Sequence, residues 1–432
     1  MTAALLAAIF CSIRLADAAS AQSFVPPSKG PLVQTANYTS FSNDTLNDTT
    51  IVKGKVFDRI IQIWLENTDF ETAASTSVFE AIAKQGVLFT NYNAVTHPSE
   101  PNYVAAIGGD FFGMADDDMY HVPANISCVV DLLEDKNISW ATYQENMPTD
   151  AFYGMIYKAP NYASPSSQPY PYYVRKHNPL MIFDAVSQDS SRINRIRTFN
   201  DFANDAVNGT LPQWVFVTPN MVNDAHDTTI DFAASFLEYW LLPLIIDPRV
   251  NSENTLILLT FDETESYGIQ NRIYTVALGG AVPENLHGTE DDTLYTHYSS
   301  LSTVQSNWDL KSLGRQDTNP AVSNVFAFVA EQTGFQNTQV PVDHIPQFNL
   351  TGVASGALTS ANFVPFAAPN LDASGAGSGG VFRRPGLDMT ITDDNLPPPV
   401  DLSALDTATP WQMSPRTSSG SMIIPCGNAA CA

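Results

Sequence analysis

Thr96-His97-Pro98-Ser99-Glu100-Pro101-Asn102-Tyr103 is a stretch whose residue types can do chemistry. Pro101 sits where a first helical turn tolerates proline, because the N–H it lacks would be unpaired there. The spacing predicts a helix starting here, with Ser99 or Glu100 as its N-cap. A hydroxyl at that place faces the positive end of the helix dipole, where anions are stabilised. An ordinary serine cap has the same signature, so chemistry requires that other groups converge on Ser99.

Three apolar runs of strand length end in a common vocabulary. Arg59 to Leu65 stops at Glu66-Asn67, and Thr255 to Phe261 stops at Asp262-Glu263. Trp214 to Val217 leads to Thr218-Pro219-Asn220, with Asn223-Asp224-Ala225-His226-Asp227 just beyond. Ligands of open parallel sheets gather at the carboxyl ends of the strands. Parallel pairing would therefore bring these groups to one rim together with Ser99. Three carboxylates plus an amide oxygen from these strand ends form a hard, oxygen-rich site for a divalent cation. One carboxylate after a strand is commonly a loop cap, whereas three strand ends sharing the pattern point to a site. His97, His177 in Arg175-Lys176-His177-Asn178-Pro179, His226, and His297 in Tyr295-Thr296-His297-Tyr298-Ser299 lie in similarly polar settings. The Asp116-Asp117-Asp118 run reads as an exposed charged turn.

A scaffold of alternating strands and helices must position these residues. Helical spacing is expected over Thr72 to Gln85, Cys128 to Asp135, Arg192 to Ala206 and Thr229 to Leu244. Further strands are expected over Val87 to Asn93, Ile138 to Tyr143 and Ile273 to Leu278. Pro148 to Pro179, rich in Tyr, Pro and Ser, reads as a long functional loop. Strand runs apolar on both faces, interleaved with helices, predict an α/β chain with a parallel sheet covered on both sides.

The 432 residues, 44% of them hydrophobic, are enough for a large core. The formal net charge of −25 excludes nucleic acid and anionic membranes as partners, since phosphate binding needs basic surface. An enzyme acting on small anions would need a local cation, or acidic pH. Residues 1–21 read as a secretory signal peptide, with an apolar run from Ala3 to Ile13 and small-residue cleavage options after it. Residues 22–54 form a polar arm, 55–351 the main domain, and 352–432 a low-complexity extension wrapping it. No other stretch approaches the ~18 apolar residues of a membrane span, and there is no lipid-anchor tail. Seven N-x-Ser/Thr acceptors, at Asn37, Asn43, Asn47, Asn125, Asn137, Asn208 and Asn349, fit an exported glycoprotein. Cys11 leaves with the signal. Cys426 and Cys431 are placed to close a terminal loop and leave Cys128 free, although three thiols allow three pairings.

From about Phe57 to Gly334 the sequence resembles the phosphoesterase family that joins fungal secreted acid phosphatases to bacterial acid phosphatases and C-type phospholipases. The carriers are Trp64-Leu65-Glu66-Asn67, His97 to Tyr103, Lys176 to Pro179, Thr218 to Asp227, Phe261-Asp262-Glu263 and His297-Tyr298-Ser299. The resemblance implies an alkaline phosphatase-like three-layer sandwich with a mostly parallel central sheet. It also implies a secreted acid phosphatase that hydrolyses small phosphate monoesters through a phosphoserine. Ser99 would be the nucleophile, and Glu66, Asn67, Asp262 and Glu263 with the Ser99 oxygen would hold one divalent metal ion. His177 and His226 would bind phosphoryl oxygens with Asp224 nearby, and imidazolium would suit an acid optimum. By motif position, His297 would be a further catalytic residue, and His97 and Asn102 would contact substrate. Ala225 departs from the family, which often has Gly there. Three alternatives stay open: a phospholipid diester substrate with Tyr153 to Tyr173 as an apolar mouth, a glycosidase using Glu66, Asp262 and Glu263 as its carboxylates, and a glycoprotein with an inert site.

Overall fold

A computed structural model describes residues 24–42, 46–162, 167–340, 356–358 and 365–392. The signal peptide, Asn43, Asn349, Cys426 and Cys431 lie outside the described residues. The strands are β1 (Arg59–Leu65), β2 (Val87–Phe89), β3 (Tyr92–Asn93), β4 (Trp140–Gln144), β5 (Ile156–Ala159) and β6 (Tyr170–Val174). They continue with β7 (Ile196–Thr198), β8 (Trp214–Thr218), β9 (Thr255–Phe261), β10 (Thr275–Leu278), β11 (Thr289–Asp291) and β12 (Tyr295–Thr296). Eight of them form the main sheet in the order β11-β2-β10-β9-β1-β8-β4-β7. β1 lies at its centre, parallel to both β8 and β9, and β4 and β7 extend the parallel set. β10 runs antiparallel to β9 and β2.

The two faces of β1 have different neighbours, because side chains alternate along a strand. Trp64 meets Tyr103 of the helix Ser99–Gly108 at 5.0 Å between ring centroids, and stacks on His297 of the helix His297–Trp308 at 4.4 Å. Phe261, in register with Leu65, points to the opposite face and meets Phe79 of the helix Ser77–Ala83 at 5.9 Å. Helices therefore cover both faces, and the chain is the predicted α/β sandwich with a mostly parallel central sheet. Aromatic pairs of this kind each contribute about 0.5–1.5 kcal/mol beyond the area they bury. Those on Trp64 fix two helix starts against the strand that ends in Glu66.

The arm is packed rather than free. Phe24 sits edge-on to Phe232 and Phe236, and Tyr38 is edge-on to Phe199. The described part of the extension also lies on the domain, with Val381 bridging to Ser312, Phe366 against Phe112, and Arg384 paired with Asp131. Asn47, Asn137 and Asn208 are exposed, whereas Asn37 and Asn125 are half-buried and Asn125 donates to the Gly386 carbonyl. Cys128 is buried, as the N-cap of the helix Val129–Asp135. No helix among the described residues is long and apolar enough to cross a membrane.

Some elements differ from the sequence reading. The helix expected over Thr72 to Gln85 is two, Phe70–Ala74 and Ser77–Ala83. The Ser75 and Thr76 hydroxyls between them both donate to the Thr72 carbonyl, which diverts the chain from a continuous helix. The expected loop from Pro148 to Pro179 contains an antiparallel β5–β6 hairpin. The segment expected to be helical from Arg192 opens with a short 3-10 turn, Ile193–Arg195, followed by β7, and its α-helix is Phe199–Asn208.

Candidate active site

Glu66 and Asn67 follow β1, Asp262 and Glu263 follow β9, and the segment from Asn220 to Asp227 follows β8. Main-chain bonds join these strand ends past the sheet: Glu66 N donates to the Asp224 carbonyl at 2.9 Å, and Asp262 N to the Leu65 carbonyl at 3.0 Å. The rim anticipated from sequence is thus one continuous surface. The helix Ser99–Gly108 starts on it and ends at Gly109, whose φ of 70° is the left-handed cap that glycine adopts freely. Pro98, not Ser99 or Glu100, is the N-cap, and Ser99 is the first helical residue. Its hydroxyl is therefore free of capping duty and turns to the carboxylates.

Ser99 Oγ lies 3.1 Å from Glu66 Oε2, 3.2 Å from Glu263 Oε1 and 3.4 Å from Asn67 Oδ1. One hydroxyl proton cannot serve three acceptors. With its carbonyl inward, the Asn67 amide faces only acceptors. Turned over, its nitrogen would donate to Asp262 at 3.1 and 3.2 Å and to Glu66 at 3.2 Å. A hydroxyl, three buried carboxylates and an amide that can turn its oxygen inward are together the oxygen donor set that suits a divalent cation. These residues fit such an ion. Asn67 holds φ at 29°, a conformation Asn tolerates better than most residues.

Glu66, His177 and Asp224 are a second group able to hold a metal, with one ligand atom from each within 4.8 Å of the others. His177, from the turn Arg175–His177, has Nε2 3.3 Å from Glu66 and Nδ1 3.8 Å from Asp224. Its ring stacks on Tyr103, whose hydroxyl donates to Glu66 Oε1. Asp224 also accepts from His226 N at 2.9 Å. Ala225 between them has a φ of 87°, left-handed backbone where a Cβ is strained and glycine is not.

Burial raises the Glu66, Glu263, Asp224 and Asp262 carboxyls above their ordinary values. For Glu66 and Glu263 the neighbouring Asp262 charge adds to the rise. Burial, then the Lys176 and His226 charges, pushes His177 well below an ordinary imidazole, so it is neutral. His226 stands at the rim with its side chain 24% exposed. Asp227 orients it at Nδ1 from 2.8 Å, and Tyr170 in turn donates to Asp227.

Three predicted residues are placed differently from their expected roles. His297 lies behind the rim, with Nε2 2.6 Å from the Asp262 carbonyl and burial lowering its pKa to about 3. It is a neutral donor holding the Asp262 main chain. His97 bonds to Glu263 Oε2 and stacks on Tyr267 at 4.1 Å. Asn102 accepts from Val95 N and Thr96 N and donates to the Thr96 and Pro98 carbonyls, so its whole amide is used on the main chain before Ser99. Asn102→Ala should therefore destabilise the fold by ~3 kcal/mol, because buried main-chain groups lose their partners. Chemical denaturation with parallel kinetics checks this; an unchanged midpoint with a raised KM would instead show substrate contact.

Three participants did not stand out in the sequence. Tyr103 is the partner of Glu66. Lys176 Nζ lies 2.9 Å from Asp117 Oδ2 and 3.4 Å from His226 Nε2. Asp117 Oδ1 accepts from Glu100 N at 2.9 Å, so the run expected to be an exposed turn is tied to the serine helix. Lys176 and Tyr103 belong to the quoted motifs, and the charge balance of the rim is the signal that singles out Lys176.

The chain matches the Phosphoesterase family over residues 67–311. It is 48% identical over 294 residues to an acid phosphatase of Aspergillus fumigatus, covering 68% of this chain and 64% of that protein. It is 44% identical over 343 residues to a probable acid phosphatase of Kluyveromyces lactis, covering 79% of this chain and 78% of that one. Among solved structures, a protein in the alkaline phosphatase superfamily from Vibrio parahaemolyticus aligns at a TM-score of 0.38 and 12% identity, covering 62% and 72%. With the family match and the acid phosphatase relatives spanning most of its length, the chain belongs to the phosphoesterase family.

Proposed function

We propose that the chain is a secreted, metal-dependent acid phosphatase that hydrolyses phosphate monoesters through a phosphoserine on Ser99. The observation that carries this reading is the Ser99 hydroxyl, held at a helix start among oxygen acceptors from two strand ends. Glu66, Asn67, Asp262 and Glu263, with Ser99 Oγ, would hold one divalent ion. Such an ion, when bound, lowers the pKa of the hydroxyl and offsets charge on the phosphoryl group.

The residues of the chain do the rest. Ser99 Oγ attacks phosphorus opposite the leaving oxygen; its bond to phosphorus forms as the ester P–O bond breaks. His226, partly exposed at the rim and oriented by Asp227, gives the leaving oxygen its proton. Neutral His177 donates to a phosphoryl oxygen, which leaves Asp224 to fix its tautomer. Water then gives a proton to His226 and attacks the phosphoserine; the bond between phosphorus and the Ser99 oxygen breaks as phosphate departs, and that oxygen regains the proton it released to solvent on its own attack. His97 and His297 position Glu263 and Asp262, and Asn102 positions the segment before Ser99. The seven glycosylation acceptors and the leader support export.

The test is phosphate release from para-nitrophenyl phosphate between pH 4 and 8, with and without a chelator. Release greatest on the acid side and lost on chelation supports the reading. No release at any pH, or release indifferent to metal removal, overturns it.

A further inference from the structure

Resting on that reading, we infer that Lys176 distinguishes phosphate monoesters from diesters: its ammonium takes the oxygen that a monoester leaves free and a diester carries as its second ester link.

Four observations lead there. First, the rim is crowded with carboxylates, and Lys176 is the basic side chain whose charge acts on Glu66, Asp224, Asp262 and Glu263 alike. Its neighbour Arg175 turns its guanidinium away, to the Met181 carbonyl at 3.0 Å. Second, the Lys176 side chain is only 15% exposed, so its stem is packed and its head is directed along the rim. Third, the head contacts Asp117 and the ring nitrogen of His226, the residue assigned to the leaving group. An ammonium has three N–H groups; Asp117 takes one, and the 3.4 Å contact with His226 Nε2 takes no second one when that nitrogen carries the leaving group's proton. Fourth, Asp117 also accepts from Glu100 N, the amide next to Ser99. One carboxylate thus spaces the lysine from the serine.

A phosphoryl group on Ser99 must place its non-bridging oxygens among the metal site, His177 and whatever else reaches it. A diester offers two such oxygens and a monoester three. At the third position a monoester gains a charge-assisted hydrogen bond from Lys176. A diester there presents an uncharged ester oxygen and its alkyl or aryl group to a largely buried ammonium, which then loses a partner. Asp117 is a positioning residue in this scheme, holding Nζ in place until substrate arrives.

The test uses the full chain with para-nitrophenyl phosphate and bis-para-nitrophenyl phosphate. Lys176→Met is expected to lower kcat/KM for the monoester by about 10²–10³-fold, the usual cost of removing one such donor. The diester value should change by less than about threefold, since that donor is not used there. Competitive inhibition should show the same split: weaker binding of inorganic phosphate, unchanged binding of the diester. Lys176→Arg should restore part of the monoester rate, and Asp117→Asn, which loosens the ammonium, should lower the monoester-to-diester ratio in the same direction but by less than Lys176→Met. Equal losses on both esters, or an unchanged ratio, overturn the inference. Failure of the reading beneath it is distinct: the unsubstituted chain would then show no monoester turnover. If Lys176→Met does not fold, Lys176→Gln supplies the same comparison.

Discussion

Ser99→Ala is expected to lower turnover of an aryl phosphate by on the order of 10⁴-fold or more, as loss of a catalytic nucleophile does, while the fold stays in place. The fold should hold because Ser99 makes no side-chain capping bond; Pro98 is the N-cap. Alanine is the best helix former, and the lost hydroxyl had more acceptors than protons. Removing it relieves crowding among Glu66, Asn67 and Glu263 rather than orphaning a donor. Steady-state kinetics with thermal unfolding checks both halves. Acid quenching with labelled substrate adds a direct readout: label should stay on the unsubstituted chain at Ser99 and be absent from the variant. Turnover within tenfold of the original would remove Ser99 from the chemistry.

The rim was legible in the sequence because the buried parallel strands are apolar over most of their length and charged residues follow them directly. Glu66 and Asp262 could be placed by that pattern without knowing a single contact, and Asp224 as part of the polar segment beyond Thr218. The direction of β10 could not, since a run as short as Thr275-Val276-Ala277-Leu278 reads the same in either orientation. The β5–β6 hairpin was hidden by Pro171, which demotes a strand in any reading of local preference. Asn102 looks like a substrate contact from its place in the motif. Its four bonds to the main chain depend on the turn from Val95 to Pro98, which local preference does not describe. Lys176 is a similar case. Its meaning comes from Asp117, 59 residues away, and from the shortage of other cations along the rim. Ala225 is another such case: its φ of 87° is a left-handed backbone that the residue type does not announce.

Metal removal is expected to have the other large effect: a fall in turnover of about 10³-fold or more, together with a change in how stability depends on pH. In the metal-free chain the carboxyls of Glu66, Glu263, Asp224 and Asp262 sit above their ordinary values, chiefly through burial. Glu145, which accepts from Asn220 N and the Asn223 amide and so holds the β8 loop, is raised by burial to about 7. The folded chain therefore keeps protons that the unfolded chain releases once pH passes the ordinary carboxyl range of about 4. Stability then falls as pH rises, because fewer protons are bound in the unfolded state than in the native one. The contribution is complete below about pH 4 and, for Glu145, lost as pH climbs through about 7. A bound cation replaces the protons at the rim, and its apparent affinity grows with pH because the ligands must be deprotonated. At 100 times its dissociation constant it would add about 2.7 kcal/mol. Thermal unfolding with and without added metal should accordingly show the chelated chain most stable near pH 4.5, and the gain from metal larger at pH 7 than at pH 4.5. A metal-free chain that becomes more stable toward neutral pH would mean that the rim carboxyls are ionised and paired by cations of the protein itself, and would leave no vacancy for a dication beside Ser99.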